Sequence, residues 1–163
     1  MYLHWLWTDR LEWIKKRYKS KSCLFCRIAK GDKRVKAYVL FNNKKTVVML
    51  NLFPYNTGHL LVFPVRHVKS LDELSRDELT ELSSRVKKSI NLLKKALHPA
   101  GFNIGINIGE VASASIKHLH IHIVPRFKRD LGFMELTAET KVMPEPVERT
   151  YQRLKKYANI LND

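Results

Sequence analysis

The sequence predicts an α+β domain in which a five-stranded, mainly antiparallel sheet packs against one long helix. Two observations predict this class. Five short apolar stretches have the length of strands, and a single longer stretch repeats its apolar residues at helical spacing. Shorter helices are predicted near both ends of the chain. A chain of 163 residues is long enough for one domain with a buried core.

The predicted strands cover residues 37–41, 46–50, 59–65, 102–108 and 119–124. The first two flank a short turn, so they are expected to pair as a hairpin. The long helix has two candidate starts, because both Ser70…Glu73 and Ser75…Glu78 fit a capping box. It is expected to end before Pro99, since proline cannot continue a helix.

The terminal helices are predicted over residues 8–18 and after Pro144 and Pro146. The expected organisation is therefore a single domain over residues 1–163, with three parts. These parts are an N-terminal helical extension (1–22), a core (23–143) and a C-terminal helix (144–163).

Three histidines alternate with apolar residues in the last predicted strand. Side chains at alternate positions of a strand share a face, so His118, His120 and His122 are expected in one row, with the apolar residues between them on the core. Burying three neighbouring imidazoles is costly unless each has a hydrogen-bonding partner. The row therefore indicates chemistry or metal binding. The alternative is a strand with an ordinary polar face toward solvent.

The formal net charge is +15 and the isoelectric point is near 10. A positive surface attracts phosphates, whether free or in a polymer. Positive charge is densest between Lys15 and Lys36, which makes nucleic acid a secondary candidate partner, but the sequence shows no helix-turn-helix, finger array or aromatic stacking motif. The apolar runs are shorter than a membrane span, and the N-terminus lacks the layout of a signal peptide. A cytoplasmic protein without a membrane partner is expected.

Cys23 and Cys26 form a C-x-x-C pair. In a cytoplasmic chain such a pair indicates a metal site or a redox couple rather than a structural disulfide. A redox pair normally lies at the start of a helix in a βαβ unit, which the predicted elements do not form. A metal site is therefore favoured. The remaining alternative is that both cysteines are buried as small apolar residues.

These motifs resemble those of the histidine triad superfamily. His118-x-His120-x-His122, followed by two apolar residues, resembles the family signature, and residues 51–59 resemble the segment that leads to a fourth histidine, His59. Further segments resemble the branch that contains the diadenosine tetraphosphate phosphorylases and the fragile histidine triad hydrolases: Trp5-x-Trp7-x-x-Arg10, Phe133-Met134, residues 139–142 and Pro144-Glu145. The resemblance implies a HIT-like fold and a homodimer in which two sheets join.

The resemblance also implies a nucleotidyl hydrolase or transferase that acts on dinucleoside polyphosphates such as diadenosine tetraphosphate. The middle histidine, His120, matches the nucleophile, which attacks the α-phosphate and forms a nucleotidyl-histidine intermediate. Water, phosphate or another acceptor then resolves that intermediate. His122 and His59 match positions that line the phosphate site as donors. His118 completes the implied catalytic set.

Four polar residues are the substrate-binding candidates: Asn51, Asn107, Ser113 and Ser115. Asn51 aligns with an asparagine of the family's nucleoside site. Asn107 resembles a glutamine that contacts phosphates in the hydrolases, with a plain role at the end of a strand as the alternative. The serines belong to a loop whose backbone N–H groups are expected to hold phosphate oxygens. Ala114 departs from the family pattern, which has glutamine or serine there, and Ser113 or Ser115 is the candidate replacement.

Related zinc-bearing members, including the galactose-1-phosphate uridylyltransferases, combine a C-x-x-C pair with two histidines. By this resemblance, a structural zinc ion is expected on Cys23, Cys26, His67 and His118. Four sulfur and nitrogen ligands are what a closed zinc site requires. Such a site is expected to tie the N-terminal segment to the strand that carries the triad.

Three other functions remain open at this point. One is the phosphoramidase branch, which cleaves adenylated amines, although the long N-terminal segment and the C-terminal helix argue against it. Another is removal of adenylate from nucleic-acid ends, as in the aprataxin-like branch, whose extra zinc finger this sequence lacks. The third is a nucleotide-binding sensor with slow turnover.

Overall fold

The computed structural model describes residues 22–128 and 143–162, together with residues 130, 132 and 137. The predicted helix over 8–18 lies outside the described residues, as do the segments Trp5–Arg10, Phe133-Met134 and 139–142. The helices and strands follow one another as α1 (Leu24–Ala29), β1 (Tyr38–Asn42), β2 (Thr46–Leu50), β3 (Leu60–Pro64), α2 (Arg76–Leu97), β4 (Gly101–Ile106), β5 (Ile121–Arg126) and α3 (Val147–Lys155). Short 3-10 turns occupy Leu71–Glu73 and Ala158–Leu161.

The five strands form one sheet in the order β1-β2-β3-β5-β4. Every neighbouring pair is antiparallel. This confirms the predicted α+β class and the number of strands. The strand that carries the end of the triad, β5, lies inside the sheet between β3 and β4, where His122 is opposite Leu61 on one side and Gly105 on the other. The last histidine of the triad is therefore held by neighbours on both sides.

Helices cover both faces of the sheet and divide the core into two clusters. Alternate residues of β2 point to opposite sides. Val48 and Leu50 pack in the cluster that contains the buried residues of α2, whereas Val47 and Met49 pack in the cluster that contains those of α1. All residues of β2 and β3 are buried, as expected for strands that are covered on both faces.

The long helix begins at the second of its two candidate caps. The Ser75 hydroxyl accepts from the backbone N–H of Glu78 (3.2 Å), and the Glu78 carboxylate accepts from the backbone N–H of Ser75 (2.9 Å). This is a complete capping box. Ser70 instead precedes a 3-10 turn and caps no helix. The helix ends at Leu97, and the next residue, His98, has a left-handed backbone (φ 50°) and directly precedes Pro99.

The C-terminal helix α3 begins after Pro146, as the sequence predicts. It is attached to the sheet by the Tyr151 hydroxyl, which donates to the carbonyl of Val39 (3.1 Å). Leu154 and Leu161 are completely buried in the same cluster as α2. Among the described residues, none of the helices has the length and apolar character needed to cross a membrane.

The last strand begins later than predicted, at Ile121, so His118 and His120 precede it. The neighbouring strand ends at Pro64, which has no N–H and cannot extend the ladder of hydrogen bonds. The N–H of Leu119 donates instead to a carbonyl in the loop after β3 (2.7 Å). Residues 119 and 120, which the sequence placed in this strand, therefore precede it, and Leu119 makes its backbone hydrogen bond outside the sheet.

The alternation of the triad nevertheless continues through this irregular segment. Leu119, Ile121 and Ile123 all belong to the cluster of α2, as predicted. The histidines between them therefore face the side of α1. His118 and His120 are only 1% and 5% exposed, which excludes an ordinary polar face toward solvent.

Candidate active site and metal cluster

The ring of His120 is fixed by one backbone hydrogen bond. Its Nδ1 lies 2.7 Å from the carbonyl oxygen of His118. A carbonyl can only accept, so Nδ1 carries the proton, and Nε2 of the neutral ring is left with a lone pair. Burial lowers the pKa of His120 and favours the neutral ring. His120 therefore has the protonation that a nucleophilic imidazole needs.

A second pair of histidines is ordered by a chain of donors. The backbone N–H of Tyr55 (3.1 Å) and the side-chain amide of Asn51 (3.3 Å) both face Nδ1 of His59. The orientation of that amide is set because the Asn51 oxygen accepts from the N–H of Phe53 (3.0 Å). With Nδ1 accepting, His59 carries its proton on Nε2 and donates to Nδ1 of His122 (2.9 Å). His122 consequently carries its own proton on Nε2.

The Nε2 atom of His122 is buried and has no hydrogen-bond partner within the part of the chain that the structure describes. Burial, and then the nearby charge of His120, lowers the pKa of His122 to about 4. The pKa of His59 lies well below 6.5, because the ring is buried and faces two other histidines. Both rings are therefore neutral, and His122 offers a single unused N–H donor. Unpaired buried donors are costly, which makes this atom a candidate ligand contact.

The loop before His59 is anchored so that these donors stay in place. The Asn56 side chain donates to the carbonyl of Pro125 on β5 and to Asp130 (3.0 Å each). Gly58 has a positive φ of 81°, and a Cβ at this position would overlap the side chain of Leu97. Only glycine suits both the backbone conformation and the close approach to α2.

The two histidines His120 and His122 meet at a cavity of about 70 Å³. Its lining consists of Phe25, Asn51, Phe53, Tyr55, Leu61, Asn107, Ser113, Ser115, Ile116, His120 and His122. None of these lining residues is a lysine or an arginine. Amide, hydroxyl and imidazole groups supply the polar part of the wall, and aromatic and aliphatic groups supply the rest. The mixed composition of the wall, rather than the small volume, suits part of a nucleotide, which combines an apolar base with phosphates.

On the side of α1, four sulfur and nitrogen ligands converge. The ligand atoms of Cys23, Cys26, His67 and His118 all lie within 4.8 Å of one another. Nδ1 of His118 is 3.4 Å from the Cys23 sulfur and 3.6 Å from the Cys26 sulfur, and Nδ1 of His67 is 3.3 Å from the Cys26 sulfur. The cluster has the residue types and the compactness of a metal site.

The orientation of His118 also suits a metal ligand. Its Nε2 lies 2.8 Å from the carbonyl oxygen of Pro64, so Nε2 carries the proton and Nδ1 directs its lone pair at the cysteines. A backbone acceptor on the opposite ring nitrogen is the usual support of a metal-binding histidine. Burial, as the main cause, lowers the pKa of His118 to about 4, which keeps Nδ1 unprotonated.

Comparison with known proteins decides the family. The HIT domain matches residues 32–129, which is more than half of the chain. This chain belongs to the HIT family. The AP-4-A phosphorylase of Mycobacterium tuberculosis is 39% identical to this HIT protein over 117 residues, which are 71% of this chain and 60% of that protein. The chain therefore spans less than two thirds of this relative.

For two other HIT proteins, the match with this chain covers more of the relative's length. The adenosine 5'-monophosphoramidase of Schizosaccharomyces pombe is 30% identical over 127 residues, which are 78% of this chain and 91% of that protein. A crystal structure of a zinc-bound histidine triad family protein from Mycobacterium smegmatis superimposes with a TM-score of 0.71 and 27% identity, over 86% of this chain and 96% of the other. The fold of this HIT protein is thus that of its family.

The structure brings most of the expected site residues of this HIT protein to the cavity. Asn51, Asn107, Ser113 and Ser115 all line it, together with His120 and His122. Two expected catalytic residues lie elsewhere. His59 is fully buried behind His122, and both of its nitrogens are engaged within the protein, so it does not line the cavity as expected. His118 directs its two nitrogens to the cysteine cluster and to a carbonyl.

The expected backbone cradle for phosphate is not formed by residues 113–115. The N–H groups of Ser113, Ala114 and Ser115 donate to the carbonyls of Glu110 (2.9 Å), Gly109 (3.1 Å) and Ser113 (2.8 Å). The loop uses these donors for its own turns, and Ser113 takes a left-handed backbone with φ of 65°. Ser113 and Ser115 line the cavity, whereas Ala114 does not.

The apolar lining residues were not predicted from the sequence. Phe53 and Tyr55 lie in the same segment as His59, and this adjacency is the signal that identifies them in retrospect. The Tyr55 ring is 45% exposed and lies parallel to that of His122, with centroids 5.9 Å apart and an angle of 14°. Phe25 lies between the two cysteines in the sequence, and nothing in its spacing indicates that it also lines the cavity beside His120.

The C-x-x-C pair is not a simple turn, since Cys23 precedes helix α1 directly. One condition for a redox pair, the start of a helix, is therefore met after all. However, both cysteines are free, and burial and the neighbouring Cys23 raise the pKa of Cys26 to about 11. Redox-active cysteines have a lowered pKa. Two histidines beside the pair favour metal binding instead.

Proposed function

We propose that this HIT protein is an enzyme that transfers the nucleotidyl group of dinucleoside polyphosphates, such as diadenosine tetraphosphate, through a covalent intermediate on His120. One observation carries the proposal: the unprotonated Nε2 of His120 and the N–H donor of His122 belong to the same cavity wall. A nucleophile beside a donor for the departing oxygen is the arrangement that phosphoryl transfer needs.

In the proposed first step, the lone pair on Nε2 of His120 attacks the α-phosphorus of the substrate. A phosphorus–nitrogen bond forms while the bond from phosphorus to the bridging oxygen breaks, and its electron pair leaves with the nucleoside polyphosphate. The carbonyl of His118 accepts from Nδ1–H and stabilises the positive charge that the ring acquires. An oxygen of the acceptor, water or phosphate, then attacks phosphorus. The phosphorus–nitrogen bond breaks, and its electron pair returns to Nε2 of His120.

His122 has the role of donor in this reaction. Its Nε2–H is directed to a phosphate oxygen or to the departing bridging oxygen, which supplies the missing partner of that buried atom. His59 acts through His122, since its own N–H keeps Nδ1 of His122 in the accepting state. Asn51, Asn107 and the side chains of the loop serines are proposed to bind the nucleoside and the phosphates.

Cys23, Cys26, His67 and His118 are proposed to hold a structural zinc ion. A tetrahedral site with Zn–S of about 2.3 Å and Zn–N of about 2.0–2.1 Å has sulfur–nitrogen separations of about 3.6 Å. The three sulfur–nitrogen separations given above, 3.3–3.6 Å, are close to this value. The zinc-bound relative from Mycobacterium smegmatis supports the choice of metal. When bound, the ion supplies a cross-link between α1, the loop after β3 and the triad segment.

The oligomeric state and location are also proposals. Strand β4 lies at an edge of the sheet with Ile104 48% exposed, which supports a homodimer that joins two sheets. Two free cysteines support a cytoplasmic location. For residues 1–163 the proposed organisation is a helical extension (1–22), a core (23–143) and a C-terminal helix (144–163).

The test of the function is product analysis with diadenosine tetraphosphate, with and without inorganic phosphate. ADP and ATP that appear only with phosphate identify a phosphorylase. AMP and ATP without phosphate identify a hydrolase. The second candidate is a phosphoramidase, which the Schizosaccharomyces pombe relative favours. Absence of product in both samples rejects the proposed substrate class, and adenylated amines and nucleic-acid ends are then assayed. A stable complex without turnover identifies a sensor.

A further inference from the structure

One side chain belongs to both the metal cluster and the catalytic cavity. Phe25 lies between Cys23 and Cys26 in the sequence, and its ring lines the cavity. The ring is only 1% exposed and meets the ring of His120 edge-on, with centroids 5.1 Å apart and an angle of 77°. The same ring meets His118 edge-on at 5.7 Å. Phe25 thus contacts a proposed metal ligand and the proposed nucleophile simultaneously.

A second connection between the two sites runs through the main chain. The imidazole of His118 belongs to the metal cluster, while its carbonyl accepts the hydrogen bond that orients His120. A displacement of His118 at the cluster therefore moves the acceptor of His120. Packed side chains and hydrogen bonds of this kind carry energetic coupling between neighbouring sites.

We propose that metal binding and nucleotide binding are thermodynamically coupled in this protein, and that Phe25 is the residue that couples them. The inference rests on the proposed function. A metal that holds both cysteines fixes the residues on either side of Phe25, and so it fixes the ring at the cavity wall. A nucleotide that enters the cavity contacts that same ring. Each ligand orders the Phe25 ring when it binds. The ligand that binds second finds the ring already ordered, so its binding costs less conformational entropy.

Coupling of this kind is reciprocal, which provides a measurement that does not depend on turnover. The zinc affinity of the full chain is determined by competition with a chelator, in the absence and presence of saturating AMP. Coupling typically changes affinity by about 5- to 150-fold. AMP is expected to tighten zinc binding by a factor in this range, and zinc is expected to tighten AMP binding by the same factor. An unchanged zinc affinity in the presence of bound AMP overturns the inference.

Two matched variants separate Phe25 from a general effect on folding. Phe63 stacks on Phe25 with centroids 4.4 Å apart and is equally buried in the same cluster, but it does not line the cavity. It also meets His118 edge-on, at 5.6 Å, so its removal perturbs the metal side to a similar extent. Phe25→Leu and Phe63→Leu thus each remove one phenyl ring from the same core cluster.

Both variants are expected to melt at a lower temperature, but only Phe25→Leu is expected to bring the coupling factor close to one. Equal coupling in the two variants, whether retained or lost, overturns the role of Phe25. If AMP does not bind at all, the inference and the proposed function are both rejected. If AMP binds with the expected coupling but diadenosine tetraphosphate is not converted, the proposed reaction is rejected and the coupling is established.

Discussion

The chain of donors behind His122 makes a quantitative prediction about His59. In a His59→Leu variant, Nδ1 of His122 loses the donor that now lies 2.9 Å away. A buried acceptor without a partner costs about 1–3 kcal/mol. The ring of His122 avoids this cost by moving its proton to Nδ1 or by turning, and either change removes the N–H from the cavity. The arrangement in which His122 presents its Nε2–H to the cavity is then less favourable by the same amount, about 1–3 kcal/mol.

Since 1.4 kcal/mol corresponds to about tenfold, kcat/KM for the dinucleoside substrate should fall by about 5- to 150-fold. The assay is the single-turnover rate at which the nucleotidyl group appears on His120, measured by quenching and mass analysis. His59→Gln is the matched control, because its amide can still donate to His122, and it should recover part of the rate. Equal rates for the Leu and Gln variants, or a wild-type rate for both, would refute the relay.

Three further predictions concern the nucleophile, the metal cluster and the pH dependence of stability. His120→Ala should abolish turnover but retain nucleotide affinity within a few-fold by calorimetry, and residual wild-type turnover would contradict a covalent mechanism. Protein purified without added metal should contain equimolar zinc by elemental analysis, and Cys23→Ser should lose it and melt at a lower temperature; wild-type protein that is isolated from cells folded but without zinc would reject the site. Burial holds the pKa of His122 at about 4, so the unfolded chain binds a proton below pH 6.5 that the folded chain does not. The melting temperature should therefore fall as the pH decreases from 6.5 to about 4, and His122→Phe should reduce that fall; an equal fall would argue against His122.

The sequence predicted the fold well wherever local pattern decides it. The alternation around the triad placed Leu119, Ile121 and Ile123 on the side of α2, and the helical spacing located α2 itself. The start of β5 was missed because it depends on which residue of another strand lies opposite. The pairing of β3 with β5 stops at Val62 opposite Ile121, two residues before β3 ends at Pro64, and this register joins two distant segments of the chain.

The site was predictable to the extent that residues carry a family motif. The four residues of the proposed zinc site and the four polar residues of the cavity came from such motifs, and the structure brings each set together. The position of His59 behind His122 was not predictable, because it requires the pairing of β3 with β5. Phe25 gave no signal, since a buried aromatic residue in a core is ordinary and its contact with His120 arises only when α1 packs on the sheet.

Within the part of the chain that the structure describes, no lysine or arginine lines the cavity, so the groups that attract an anion from a distance differ from the groups that would bind it. A net charge of +15 attracts phosphates from a distance, and that attraction is screened within about 10 Å at 0.1 M salt. Inside the cavity the phosphates of the proposed substrate would meet neutral donors, whose strength does not depend on ionic strength. Salt should consequently slow capture of the substrate while the chemical step continues at the same pace. Neutral donors would also bind the anionic products of the proposed reaction less tightly than fixed positive charges would, which favours repeated turnover over tight retention.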